Sequence, residues 1–355
     1  MSKNYIQSSL HPSATVEEKP PKRVTPPVDA VFEIPLRPQT LNDFAGQDQI
    51  RERLDVLIQA AKGRNEPLSH CLFSGPPGLG KTTLANILAK AMGTNLTVTS
   101  GAVIEKPGDL AGVLTNLQEG DVLFIDEIHR LSRNVEEYLY PAMEDFMLDL
   151  MIDSGPSARS VQVPLKRFTL AGATTRSGLL TAPLRSRFGF TCRLDYYTVE
   201  VLEQILFRTS QMLKMTIDAV GLREIAKRSR GTPRIANNYL RWVRDFGQIK
   251  AKGIIDGKVV TSALDMLQID EKGLDEMDKR ILETMIDHYK GGPVGVNTIA
   301  IAVGEEPSTI EEVYEPYLIL QGFVKRTPRG REVTELGYRH MKRRPGMDQF
   351  VGDLI

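Results

Sequence analysis

The chain has 355 residues, two cysteines, and 45 Lys plus Arg against 45 Asp plus Glu. That length is too great for one ordinary core and points to two or three domains. The balanced charge speaks neither for nor against nucleic acid, so that question passes to the way charge is distributed along the chain. No apolar run approaches the roughly 18 residues of a membrane helix, and the N-terminus lacks a signal-peptide core, so a cytoplasmic protein with no membrane role is expected. Cys71 and Cys192 sit in apolar contexts without metal-ligand spacing, which predicts buried free thiols.

Residues 1–30 are rich in Pro, Ser and charge and predict a disordered tail. From about residue 31 the pattern becomes globular. HCLFSG (70–75) reads as a short buried strand, followed by a Gly/Pro loop and the helix-like KTTLANILAKAMG. DVLFIDE (121–127) and RFTLAGATT (167–175) read as further strands, and NVEEYLYPAMEDF (134–146) as a helix with a kink or break at Pro141. Strands alternating with helices indicate an α/β domain with a parallel sheet, here 31–198. Within it, two β-prone runs around SGPSARS predict a hairpin over 148–165. Residues 199–271 read as helices only, a small helical domain. Residues 272–345 read as three helices and then two strands around a Pro-Arg-Gly-Arg turn, the winged-helix pattern, with a tail at 346–355.

The chemistry concentrates in GPPGLGKTT (75–83). This run fits the phosphate-loop pattern, and it stands after a strand and before a helix, the context that makes the pattern credible. Gly75, Gly78 and Gly80 let backbone N–H groups turn toward phosphates at a helix N-terminus. Lys81 is placed to reach the β- and γ-phosphates of ATP, and Thr82 to offer a hydroxyl to Mg²⁺. VLFIDE brings Asp126 and Glu127 to the carboxyl end of a strand, where open α/β sheets bind ligands. Asp126 is expected in the Mg²⁺ shell and Glu127 as the group that orients attacking water. His129 follows closely and receives no role. Thr174 and Thr175 end the next strand, where a hydroxyl could sense a γ-phosphate. In RGTPRIANN, Thr232 suits a cap and Pro233 the first helical position, which leaves Arg234 in the first turn. A cation there opposes the helix dipole, so it has either an anionic partner or a solvated setting.

At the far end, residues 323–344 hold eight Lys and Arg against two Glu, a net of +6, whereas the preceding helix carries Glu305, Glu306, Glu311, Glu312 and Glu315 with no base. This segregation predicts a localised phosphate-binding edge, with three guanidinium groups in RTPRGR on a wing turn. No aromatic side chain lies in the turn, so sequence-independent backbone contact with strong salt dependence is expected.

The phosphate loop, IDE, the GATT strand end, LRSRF (184–188) and a helical domain carrying GTPR together resemble the AAA+ ATPases. The segments LRPQTLNDFAGQ, EDFMLDLMIDSGPSARSVQVPLKRFTLAGATTR, RGTPRIANNYLRWVRDF and GGPVGVNTIAIAVGEEPSTIEEVYEPYLILQGFVKRTPRGR are similar to the bacterial Holliday-junction branch-migration motors within that superfamily, over about residues 32–345. The resemblance implies a homohexameric ring around double-stranded DNA, with RuvA as the junction-binding partner and the resolvase RuvC in the same complex. It implies that Leu36 and Arg37 touch the adenine end, and that Gly78, Gly80, Lys81, Thr82 and Thr83 hold the phosphates. Glu144, Asp145 and Phe146 match a family segment near the nucleotide. Tyr197, Arg234 and Arg187 resemble contacts to the chain's own nucleotide, and Arg185 the arginine finger inserted into a neighbour's site. Arg326 and Arg331, and then Arg329, are implied DNA contacts. The hairpin is similar to the segment that docks on RuvA. Leu148, Leu150 and Ile152 alternate with Val161, Val163 and Leu165 in an apolar strip that either meets a partner or packs on its own domain. A clamp loader and an initiator-type nucleotide switch that binds DNA without turnover are the alternative readings.

Overall fold

A computed structural model describes residues 36–152 and 159–344, without the side chains of 150–160. The expected N- and C-terminal tails, the hairpin tip and the side chains of Leu150 and Ile152 lie outside the described residues. Helix α1 (Asp48–Arg64) precedes strand β1 (Cys71–Ser74) and helix α2 (Lys81–Met92). Then come β2 (Leu96–Ser100), α3 (Pro107–Leu114), β3 (Val122–Asp126) and α4 (Arg133–Glu144). Strands β4 (Met147–Ile152) and β5 (Arg159–Pro164) form the expected hairpin, followed by β6 (Thr169–Thr174), α5 (Ala182–Ser186) and β7 (Phe190–Arg193).

The main sheet is parallel with strand order β2-β3-β6-β1-β7. Its central strands are continuous buried runs, VLFI in β3 and TLAGAT in β6, because both faces are covered. The strands β2 and β7 escape a sequence reading. LTVTS is polar and only half-buried, and FTCR alternates buried with exposed residues, as edge strands do. Helix α4 runs through Pro141 without stopping, contrary to the expected break. The proline lies in the last turn, so its missing N–H removes a single ladder bond and nothing beyond it has to be rebuilt.

The lid consists of α6 (Val199–Met212), α7 (Ala219–Arg228), α8 (Pro233–Lys250) and α9 (Gly257–Met266). Its core, with Leu206, Ile225, Leu240 and Leu264 fully buried, is continuous with that formed by Phe73 of β1 and Leu84 and Leu88 of α2. The head begins with α10 (Glu276–Tyr289) and α11 (Val296–Val303). A helical run follows from α12 (Pro307–Thr309) through the π-helical segment Ile310–Tyr314 to α13 (Glu315–Leu320). Strands β8 (Val324–Thr327) and β9 (Gly330–Val333) pair as the wing, and α14 (Glu335–His340) closes it. This head has a separate core of its own around Ile281, Leu282, Met285 and Ile299. Both cysteines are buried and unpaired, and burial pushes their thiols up, Cys192 to about 12.

Candidate functional site

The phosphate loop lies between β1 and α2, with Gly75, Gly78 and Gly80 all at positive φ. Gly80 does more than turn the chain, since a Cβ there would stand 2.9 Å from the Phe44 ring. Gly78 is pressed against the lid, and a Cβ on it would meet Thr232 Cγ2 at 2.7 Å and Arg234 Cβ at 3.0 Å. Only a bare backbone lets the loop and the lid turn approach this closely. Tyr197, also buried, fastens the same seam: its hydroxyl donates to the Leu79 carbonyl at 3.0 Å, and its N–H donates to the Gly231 carbonyl at 2.9 Å. Its position is therefore that of a brace between loop and lid.

Lys81 is buried in the cradle, and its ammonium donates to the Gly75 and Pro76 carbonyls at 2.8 and 2.7 Å. Burial brings its pKa down to about 8; Asp126 opposes that shift and Arg234 adds to it. Lys81, Asp126 and Arg234 thus share one electrostatic neighbourhood. Thr82 is half-buried beside Lys81 in the first turn of α2, and Thr83 is buried behind it. Arg234 is exposed in the first turn of α8, over Gly78. Thr232 occupies the N-cap position but does not cap, because its hydroxyl donates to the Arg230 carbonyl at 3.2 Å. Leu36 and Arg37 belong to the short N-terminal unit ending at Arg37, and their assignment rests on the resemblance alone.

Glu127 leaves β3 in the left-handed region, at φ 47°, and its partly exposed carboxylate pairs with Arg130 at 3.0 Å. Thr174 corrects an expectation. It is 1% exposed, with its hydroxyl bonded to His129 Nδ1 at 2.9 Å and accepting from the Arg176 N–H at 3.0 Å. A side chain so engaged cannot present itself to a γ-phosphate, and the half-buried Thr175 is the strand-end hydroxyl left for that task. His129, passed over in the sequence, is thereby a structural partner of the sensing strand. Burial lowers its pKa and Glu127 opposes the shift. Its place two residues after the acidic pair was the available signal.

A second group gathers at the amino edge of the sheet. Phe146 packs its ring against His70 and Phe168, which immediately precede β1 and β6 (centroids 6.4 and 5.9 Å). The His70 ring is neutral with its proton on Nε2, which donates to the Met143 carbonyl, while Nδ1 accepts from the Leu170 N–H. Burial lowers the His70 pKa accordingly. The length of β1 separates this edge from Gly75, roughly 16 Å at strand spacing. Arg187 is held here too. Its guanidinium pairs with Glu144 at 3.1 Å, donates to the Pro183 carbonyl at 2.7 Å and lies 4.3 Å from the Tyr140 ring centroid. The expectation that Arg187 serves the chain's own nucleotide is therefore corrected: the fold puts it, with Glu144 and Phe146, on the edge away from the chain's own phosphate loop. Arg185, two residues earlier, is exposed and donates to the Ser177 carbonyl.

The hairpin and the wing bring two further corrections. Leu148 is fully buried in the core beneath the sheet, and Val163 and Leu165 pack against that core, so the base of the apolar strip belongs to its own domain. Val161, 42% exposed, is open to solvent. In the wing, the separation of acid from base exists only along the sequence. Arg326 and Arg331 fold onto Glu311 and Glu315, with both arginines on the nearly buried Glu315 carboxylate at 2.8–3.0 Å. These arginines pull the Glu315 pKa down against the effect of burial. Arg331 is only 12% exposed, whereas Arg329 is exposed at the turn with no ion pair among the described residues.

A strand-loop-helix phosphate cradle on a parallel sheet, with strand-end acids, a helical lid arginine over the loop and a winged-helix head, defines a P-loop ATPase of the AAA+ type. Family models cover the chain accordingly: the Holliday junction DNA helicase RuvB P-loop domain over residues 36–194, the RuvB AAA lid domain over 197–270 and the RuvB C-terminal winged helix domain over 271–342. The chain belongs to the RuvB family. It is 67% identical to the Holliday junction branch migration complex subunit RuvB of Protochlamydia amoebophila, over 96% of this chain and 98% of that one. Against the subunit of the same name from Flavobacterium psychrophilum it is 62% identical, over 89% and 93%. The solved structure of the Thermotoga maritima RuvB Holliday junction branch migration motor superposes with a TM-score of 0.80 at 50% identity, covering 87% of this chain and 99% of that one.

Proposed function

We propose that this protein is an ATP-driven DNA translocase that, as a homohexameric ring around duplex DNA, drives branch migration of Holliday junctions together with RuvA, with the resolvase RuvC in the same complex. Its site of action is the cytoplasm; no helix among the described residues is long and apolar enough to cross a membrane. The observation that carries the reading is the seam between Gly78 and Arg234, where the lid turn is packed directly on the phosphate loop. The family membership supplies the substrate.

In this reading ATP binds with its phosphates on the loop N–H groups and Lys81. Mg²⁺ suits the donor set: it needs one hydroxyl, from Thr82, and a carboxylate, Asp126, reached directly or through water, with phosphate oxygens completing the shell. Glu127 orients the attacking water and Thr175 contacts the γ-phosphate. Since Arg187 lies on the far edge of its own sheet, it acts on a neighbour's nucleotide, with Arg185 beside it. Arg329 is the wing side chain best placed for DNA phosphate, and Arg326 and Arg331 join it only by leaving Glu311 and Glu315. Leu150, Ile152 and the exposed Val161 remain the hairpin candidates for RuvA.

The test mixes the protein, RuvA, ATP and a synthetic four-way junction. Conversion to two duplexes is expected, and its failure under conditions where the Protochlamydia amoebophila protein succeeds would remove the reading. For the wing, Arg329→Ala should reduce the salt slope of duplex binding by about one phosphate contact, roughly 0.9 in log K against log salt.

A further inference from the structure

The head has a core of its own, whereas the lid shares one with the ATPase sheet. Domains joined without a shared apolar core are expected to move relative to each other. What joins them here is polar and buried. Arg230, at the end of the lid's second helix, is 8% exposed and held in the left-handed region at φ 53°. Its Nε donates to the Gly273 carbonyl at 2.7 Å, and its Nη2 donates to Asp275 at 2.9 Å and to Asp278, a carboxylate with no exposure. Its guanidinium also lies 5.1 Å from the ring centroid of Tyr317 in the head, whose hydroxyl donates to the Lys272 carbonyl of the connector at 2.5 Å. The connector itself is pinned at Gly273, where a Cβ would stand 2.4 Å from the Arg228 carbonyl.

Buried ion sets of this kind contribute little net stability, because desolvation offsets their attraction, but they accept only one geometry. Removing one member leaves an unpaired buried charge, so the set opposes intermediate orientations of the two bodies. The turn that carries Arg230 continues through Gly231 and Thr232 to Arg234, which lies on the phosphate loop. Two anchor points four residues apart thus tie one turn to the nucleotide at one end and to the head at the other.

We propose that Arg230, clamped by Asp275 and Asp278, is a positioning residue that makes the winged-helix head a rigid extension of the lid, so that motion of the nucleotide-bearing turn is delivered to DNA. The claim rests on the translocase reading for its consequence, but not for its geometry. Arg230 touches neither nucleotide nor DNA; it acts through the orientation of the head.

The experiment places spin labels at Ile249 in the lid and Ile301 in the head, both more than three-quarters exposed, while the native thiols stay buried. In the full-length protein the distance between them should be narrow and unchanged between ADP and a non-hydrolysed ATP analogue. Arg230→Ala should broaden it and cut junctions migrated per ATP hydrolysed by fivefold or more. DNA-independent hydrolysis and duplex affinity should stay within about twofold. Arg230→Lys, which keeps the charge and loses the fork, should fall between. The milder Asp275→Asn serves if Arg230→Ala does not fold. A wild-type distance that is already broad, or unchanged width and yield per ATP in the folded variants, overturns the proposal. Failure of wild type to migrate junctions, with the label result intact, would instead count against the translocase reading alone.

Discussion

At the carboxyl edge of the sheet, Lys81, Asp126 and Arg234 converge on a glycine loop that lies hard against the lid. At the amino edge, a strand's length away, Arg187 is held by Glu144, Pro183 and Tyr140, near no phosphate-binding backbone of its own chain. The first edge brings a lysine and backbone donors together; the second holds a guanidinium between the Glu144 carboxylate and the Tyr140 ring. On the proposed reading, one chain holds two halves that complete each other only between copies, which makes ring assembly a requirement of the chemistry.

The largest effect should come from breaking the second half. Arg187→Ala is expected to keep ATP binding and to lose about 10³-fold or more in hydrolysis. Mixed with Lys81→Ala subunits, it should regain part of the activity, since an intact loop on one subunit then faces an intact arginine on the next. No regain in mixed rings would place both groups in one site and undo the comparison. On the first edge, Glu127→Gln should leave binding intact and lower turnover by about 10²- to 10⁴-fold. It should not be complemented by Arg187→Ala subunits beyond the sites where both groups are present. Unchanged turnover would take Glu127 out of the mechanism.

The two strand-end threonines separate sensing from support. Thr175→Val should slow hydrolysis with little change in melting temperature. Thr174→Val should mainly destabilise, by about 1–3 kcal/mol, because it leaves the half-buried His129 ring nitrogen without its partner. Thermal melts read beside steady-state hydrolysis decide it; the reverse pattern would return the sensing role to Thr174.

The carboxyl edge was legible because its geometry is written locally. The spacing of Gly75, Gly78, Gly80 and Lys81 sets a backbone shape, and VLFIDE delivers its acids at the end of one strand. The amino edge was not, since Glu144 and Arg187 lie 43 residues apart and meet only once α4 and α5 are packed. The wing misled for the same reason. Glu311 and Glu315 form an acidic stretch in sequence, yet the helical run bearing them lies against β8 and β9 and neutralises the arginines that seemed free. Arg230 carried no signal at all, and Asp275 with Asp278 reads as an ordinary helix-capping pair, which it also is. Thr174 and Thr175 could be told apart only by which one the fold turns inward.

The smallest expected effect is a difference in pH response between the two edges. Burial holds the Lys81 pKa at about 8, against 10.5 for an ordinary lysine, so without nucleotide the ammonium loses its proton as pH rises through 8. In the window from about 8 to 10.5 the unfolded chain binds more protons at this residue than the folded one, so its contribution to stability rises with pH there. Nucleotide affinity has the opposite sign. Phosphates favour the charged form, so above pH 8 binding must take up a proton, and affinity should fall by up to about tenfold per pH unit. Titrations of nucleotide at pH 7 and pH 9, in buffers of different ionisation heat, should show proton uptake only at pH 9. Arg187→Ala should show the same pattern, because Lys81 in the subunit's own loop sets the proton uptake. A flat profile in wild type would mean that Lys81 keeps its proton in the open loop, and a profile altered by Arg187→Ala would show that Lys81 alone does not set it.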